Sequence, residues 1–309
     1  MTRLTSRPHL IHIGFPKAAS TFLQHWFDRH PEIAYRPGGL AGMHTVYDLV
    51  EAVLDQDSRY RCRVTSDERL VAPEAERMVL ARAERWRTDS DPADHSDGTQ
   101  GFEAVAHLLQ KMFPDASILI VSRGFDDFFK SAFSQVTKEG VPISSDVFAA
   151  TVADDTTGIM SLDYDEIIAL YEQLFPGRVL VLPYEMLVEN RHAFLGRIEE
   201  MLGVSPFDPG EVRLNTSLSG EQLYWYPRIA KCIHRIPVRP IRRALGWLHV
   251  AMISRGAWKP VLLALRLFFG KRSAGVEASA ELIEKLSANA RKMVEREEFA
   301  RFRHCYVAD

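Results

Sequence analysis

Cysteine is scarce. The 309 residues hold three, Cys62, Cys232 and Cys305, far apart and without a C-x-x-C spacing. That argues against a disulfide framework and against a zinc site, so a reducing, cytoplasmic setting is the expectation. Charge of one sign is lacking too: 38 Lys and Arg stand against 41 Asp and Glu, for a net charge of −3. The whole molecule is therefore not an electrostatic nucleic-acid binder. The opening residues MTRLTSRPHL show no signal-peptide core. No apolar run is long enough to span a bilayer, and there is no internal repeat or low-complexity tract. What remains is ordinary globular composition, 46% hydrophobic and 26% charged. The length suits one large or two small domains.

A motif is missing as well. The stretch Ile11–Phe22 reads IHIGFPKAASTF: a short apolar run, a Gly-x-Pro turn, a lysine, small residues, and Ser-Thr at the mouth of a helix expected over 22–30. A loop of this kind aims unpaired N–H groups and the positive end of a helix dipole at one point, which suits an anion. It is not the nucleoside-triphosphate loop G-x-x-x-x-G-K-[ST]. Counted from Gly14, Ala19 replaces the second glycine, Ser20 replaces the lysine, and the lysine has moved forward to position 17.

The rest of the chain alternates. Residues 30–35 read as a break with a short strand, and a second short strand is expected at 62–66. Ser117–Ser122 (SILIVS) and Arg178–Leu182 (RVLVL) are uninterrupted β-rich runs, the mark of strands buried on both faces. Helical patterns cover 45–54, 73–88, 102–113, 125–138, 164–175 and 191–202, with a variable segment at 140–160. This predicts an α/β fold, a central parallel sheet flanked by helices, with a mainly helical C-terminal part. Ligands in such folds sit beyond the C-terminal strand ends. Those ends carry Gly14–Thr21, Asp67-Glu68, Arg123 and Tyr184-Glu185. A triphosphatase would need an acidic metal ligand where Arg123 stands. Arginine instead offers a planar fork to phosphate, and Ser131 lies about two helical turns further along. Two anion sites without an evident metal carboxylate suggest a nucleotide bearing phosphates at both ends of its ribose.

Here the residues resemble a family. Pro16-Lys17-Ala18-Ala19-Ser20-Thr21-Phe22-Leu23 is similar to the 5′-phosphosulfate loop of sulfotransferases that use 3′-phosphoadenosine 5′-phosphosulfate (PAPS). Val121-Ser122-Arg123 with Ser131 resembles the 3′-phosphate motif of that P-loop-like family. Tyr184-Glu185-Met186-Leu187 resembles the Y-E-x-L that follows a core strand in bacterial members. Leu202-Gly203-Val204 and Asn215-Thr216-Ser217 also fit, though Asn215 and Ser217 read equally well as a turn. Departures are Ala19 for glycine and Gly124-Phe125 for Asn-Pro.

The resemblance implies in-line sulfuryl transfer to a hydroxyl or amine, with PAPS as co-substrate, PAP as product and no metal. Lys17 would neutralise charge on the departing phosphate. Ala18, Ala19, Ser20, Thr21 and Phe22 would form the 5′ loop, and Arg123 and Ser131 would hold the 3′-phosphate, with Ser131 also restraining Lys17. Tyr184, more readily structural than catalytic, would border the nucleotide. Glu68 is the expected base, with Asp67, His44 and His95 as alternatives. Residues 1–220 would be the PAPS-binding core and 221–309 a helical extension packed on it. The acceptor stays open among carbohydrates, lipids, small alcohols and amines.

From Gln222 to Val276 there is no acidic residue but there are eleven Lys and Arg, interleaved with aromatics. Three readings stand: helices with a basic outer face, a cover in which Lys271-Arg272 approach the 3′-phosphate, or peripheral membrane contact. A charged helix is expected over 280–299. Competing functions are a P-loop-type kinase and a non-catalytic nucleotide-binding, membrane-associated protein.

Overall fold

The computed structural model describes residues 7–15, 17–35, 37, 60–67, 70, 99–154, 162–210, 217–276 and 279–307. The helices expected at 45–54 and 73–88, together with Pro16, His44, Glu68, His95, Asn215 and Thr216, lie outside them.

Five parallel strands form one sheet: β1 (His9–His12), β2 (Ile33–Tyr35), β3 (Cys62–Ser66), β4 (Ser117–Ser122) and β5 (Val179–Pro183), in the order β2-β3-β1-β4-β5. The α/β expectation holds. β4 is buried from Ile118 to Ser122 because helices cover both faces of the sheet, leaving no polar side for alternation. In register, His12 pairs with Ser66 of β3 and Leu119 of β4. Beyond β1 the ladder continues, since Ile13 N–H donates to Leu119 O and Phe15 N–H to Val121 O. Connections from β1 run to one side of the sheet and those from β4 to the other. The crevice beyond β1 and β4 is thus the topological switch point, where such sheets bind ligands.

Helices α1 (Ser20–Arg29), α2 (Thr99–Met112), α3 (Phe125–Lys138), α4 (Ser145–Asp154), α5 (Tyr164–Leu174), α6 (Tyr184–Glu189) and α7 (Arg191–Leu202) follow in order. α1 begins two residues before its expected start. α4 falls inside the segment read as variable. α3 carries Asp126 and Asp127 in its first turn and Lys138 in its last, each placed favourably in the helix dipole. α7 starts on the Asn190 side chain, which accepts from Ala193 N–H, and stops at Gly203 with φ 64°. The core gathers Trp26, Phe27, Phe128, Phe129 and Phe133 against the strands.

Three further helices, α8 (Gly220–His234), α9 (Arg239–Ser254) and α10 (Lys259–Phe269), bury Tyr226, Ile253 and Leu262 in a small cluster of their own. α8 opens with a capping box between Ser219 and Gln222. The chain then returns to the main core. α11 (Ala280–Ala288) and the 3₁₀ turns at 293–295, 297–299 and 303–305 bury Leu282, Leu286, Met293, Phe299 and Tyr306 there.

The continuous helix expected to residue 299 is not formed. Asp165 N–H donates to Asn289 O, and the Asp165 carboxylate accepts from Lys292 N–H (2.9 Å) and Met293 N–H (2.7 Å). Those tertiary bonds replace the helical ones after Ala288.

Candidate functional site

The loop after β1 is shaped by two left-handed residues, Lys17 and Ala19, each at φ 67°. Ala19 is the N-cap of α1 and offers no capping side chain. Ala18 N–H closes back on Phe15 O, and Leu23 N–H bonds to Ala19 O. Between them, the N–H groups of Ala19, Ser20, Thr21 and Phe22 find no acceptor among the described residues. This is a nest of donors at a helix N-terminus, an anion cradle. Ala18 and Phe22 point their side chains into the core, Thr21 is exposed, and Ser20 is buried with its Oγ unpartnered. An orphaned buried hydroxyl beside orphaned amides fits a group with several acceptor oxygens. Gly14 is needed for a different reason: a Cβ there would lie 2.5 Å from His12 Nε2. His12 is fully buried, bonded through Nδ1 to Ser66 Oγ at 2.8 Å, and burial pushes its pKa down to about 3. It is a neutral core histidine.

Arg123 joins the loop directly. Its Nη1 donates to Lys17 O at 2.7 Å, and its guanidinium lies 4.4 Å from the centre of the Tyr184 ring. Tyr164 Oη donates to Arg123 O at 2.7 Å. Arg123 Nε is buried without a partner. Behind it, Glu185 accepts from Gly124 N–H (2.9 Å) and from Tyr306 Oη (2.6 Å), and Tyr306 Oη accepts from Ser122 Oγ (3.1 Å). Burial, then Glu185, raises the Tyr306 phenol well above its ordinary pKa, so it stays a donor. Gly124 has Cys305 against it: an added Cβ would meet Cys305 Cβ at 2.7 Å. That close approach gives the glycine after Arg123 a physical reason.

Lys17 Nζ donates to Gln135 Oε1 at 3.2 Å, and Gln135 Nε2 donates to Glu139 Oε1 at 2.8 Å. Ser131 and Gln135 on α3 and Glu139 at its C-cap are spaced by four and share one face. Sequence reasoning assigned the lysine's restraint to Ser131 and missed Gln135, although that spacing was there to read. Tyr164 and Tyr306, distant in sequence, gave no signal. Asp67 follows β3, its N–H bonded to His12 O. Lys271 and Arg272 are exposed just beyond α10, with Arg272 Nε donating to Phe269 O. A cleft of about 810 Å³ opens past the C-terminal end of α3, lined by Ser144, Asp146, Tyr224, Arg228, Lys231 and Arg235 among others.

The parallel sheet, the cradle after its central strand and the arginine at the next strand end define a P-loop-like α/β protein. Residues 8–209 match the profile of the sulfotransferase family. The chain belongs to that family. Among solved structures, it is similar to a sulfotransferase from Alicyclobacillus acidocaldarius, with 14% identity over 76% of this chain and 99% of that one, at a TM-score of 0.38. It is also similar to a mouse sulfotransferase complexed with PAP, with 13% identity over 76% of this chain and 69% of that one, at a TM-score of 0.38. No curated protein sequence matches it.

Proposed function

We propose that the protein transfers a sulfuryl group from PAPS to a hydroxyl or amine acceptor by in-line displacement. The observation that carries this reading is the contact between Arg123 Nη1 and Lys17 O. It brings the donor-rich loop and the Arg123 guanidinium side by side, which supports a nucleotide phosphorylated at both 3′ and 5′ positions. PAPS, when bound, supplies an activated sulfuryl group on a phosphate leaving group.

The donors of residues 19–22 and Ser20 Oγ take the 5′-phosphate. Arg123, through its unpartnered Nε, and Ser131 take the 3′-phosphate. Tyr184 keeps the guanidinium flat and oriented. Lys17 leaves the Gln135 amide to neutralise charge on the departing phosphate, the role preorganised cations play in related phosphoryl transfers. Glu68 is the proposed base, with Asp67, His44 and His95 as the alternatives. Lys271 and Arg272 are proposed to cover the nucleotide. A cytoplasmic setting accords with the scarcity of cysteine. A kinase reading is weaker, because an arginine stands where the metal-holding acid would be.

The test is a thermal shift. PAP raises the melting temperature by mass action and ATP with magnesium does little. Stabilisation by ATP alone would overturn the reading in favour of a kinase. Lys17→Ala keeps the PAP shift while turnover, followed as a sulfated product by mass spectrometry, falls by about 10²–10³-fold. Unchanged turnover removes Lys17 from the mechanism.

A further inference from the structure

The α10 sequence is Lys-Pro-Val-Leu-Leu-Ala-Leu-Arg-Leu-Phe-Phe. It is apolar nearly all round, a composition that ordinarily belongs to a buried helix. Yet only Leu262 is buried. Leu263 is 59% exposed, Leu267 78%, Phe268 85% and Phe269 57%. Leu263, Leu267 and Phe268 project outward, while the Phe269 ring lies 5.6 Å from that of Trp225.

The segment that carries α10 is of one sign. No Asp or Glu occurs from Gln222 to Val276. Lys259 and Arg266 on α10, and Lys271 and Arg272 just after it, are all exposed. A second copy of the same face would set cations against cations. A fluid anionic surface satisfies both features at once, since apolar side chains enter its headgroup boundary while lysines and arginines meet its phosphates. At eleven residues, α10 spans about 16 Å, too short for a hydrocarbon core of about 30 Å. No helix among the described residues is long and apolar enough to cross a membrane.

We infer that α10 docks the protein on an anionic lipid bilayer, lying in the interface with Leu263, Leu267 and Phe268 inserted and Lys259 and Arg266 facing lipid phosphates. The inference does not depend on the sulfotransfer reading, and its test involves no turnover.

The full chain is floated with vesicles of equal parts phosphatidylglycerol and phosphatidylcholine, and with vesicles of phosphatidylcholine alone. It binds the mixed vesicles, binds the neutral ones far more weakly, and is released by added salt. Leu267→Ser with Phe268→Ser lowers the partition coefficient about tenfold or more at an unchanged melting temperature. Lys259→Glu with Arg266→Glu, both surface changes on α10, lowers binding to the mixed vesicles specifically. Failure to bind mixed vesicles overturns the inference, as does binding that neither variant pair weakens. A dimer in sedimentation velocity that the serine pair converts to monomer also overturns it, because the face is then covered by a second copy.

Discussion

Lys17 and Ala19 hold φ 67° without being glycine, and for an L side chain the left-handed region costs about 1–2 kcal/mol. Strain of this kind persists where the surroundings over-determine it, and it clusters at ligand clamps. Ala19 occupies the place where the resemblance expects glycine. Ala19→Gly is therefore expected to raise stability by up to about 1 kcal/mol, the relieved strain being partly offset by the greater freedom of the unfolded chain. Urea unfolding measures this, and a destabilised variant would show that the methyl packs favourably. Gly124 is the opposite case. Its N–H is held by Glu185 and its α-carbon faces Cys305. Gly124→Ala should cost about 1–3 kcal/mol through overpacking. The same unfolding experiment reads it, and a loss near zero would mean that the segment at 303–306 moves aside freely.

Among the elements, the turn that follows α11 is tied to the start of α5 by one carboxylate. Asp165, in the first turn of α5, accepts two backbone N–H groups from residues 292 and 293. Asp165→Ala leaves those donors unpaired. It is expected to destabilise by about 1–3 kcal/mol and to speed proteolysis between residues 289 and 300. Wild-type cleavage rates would place the restraint elsewhere. This element also marks what could be read in advance. The apolar runs of β4 and β5 announced a doubly covered parallel sheet, because such strands have no solvent face to encode. The P-K-A-A-S-T loop and Arg123 could likewise be placed at neighbouring strand ends, where the structure brings them into contact. The stop after Ala288 could not be read, because Asn289, Lys292 and Met293 are claimed by the backbone and side chain of Asp165, more than a hundred positions earlier in the chain. The same holds for the Glu185–Tyr306–Ser122 network behind Arg123. α4 escaped notice inside a segment whose residues show weak helical periodicity.

For the molecule as a whole, acid is a destabiliser that works through the core. His12 is fully buried and its pKa is lowered from 6.5 to about 3 by desolvation. In the unfolded chain it binds a proton below about 6.5, while in the folded protein it does not. Its contribution is therefore fully present above pH 6.5 and is lost as pH falls, at about 1.4 kcal/mol per pH unit. His12→Asn should reduce the difference in unfolding free energy between pH 7 and pH 5 by about 2 kcal/mol. An unchanged difference would assign the acid sensitivity to other buried groups, of which His249, lowered to about 4 by burial, is one.

Tyr306 ties Ser122 at the end of β4 to Glu185 beyond β5. During synthesis, the strands that carry the anion cradle and Arg123 are made long before this phenol. The ribosome must therefore release the chain through residue 306 before the back of the site can close. Until then, Glu185 lacks the Tyr306 hydroxyl and Ser122 lacks its acceptor, so the network behind Arg123 is incomplete.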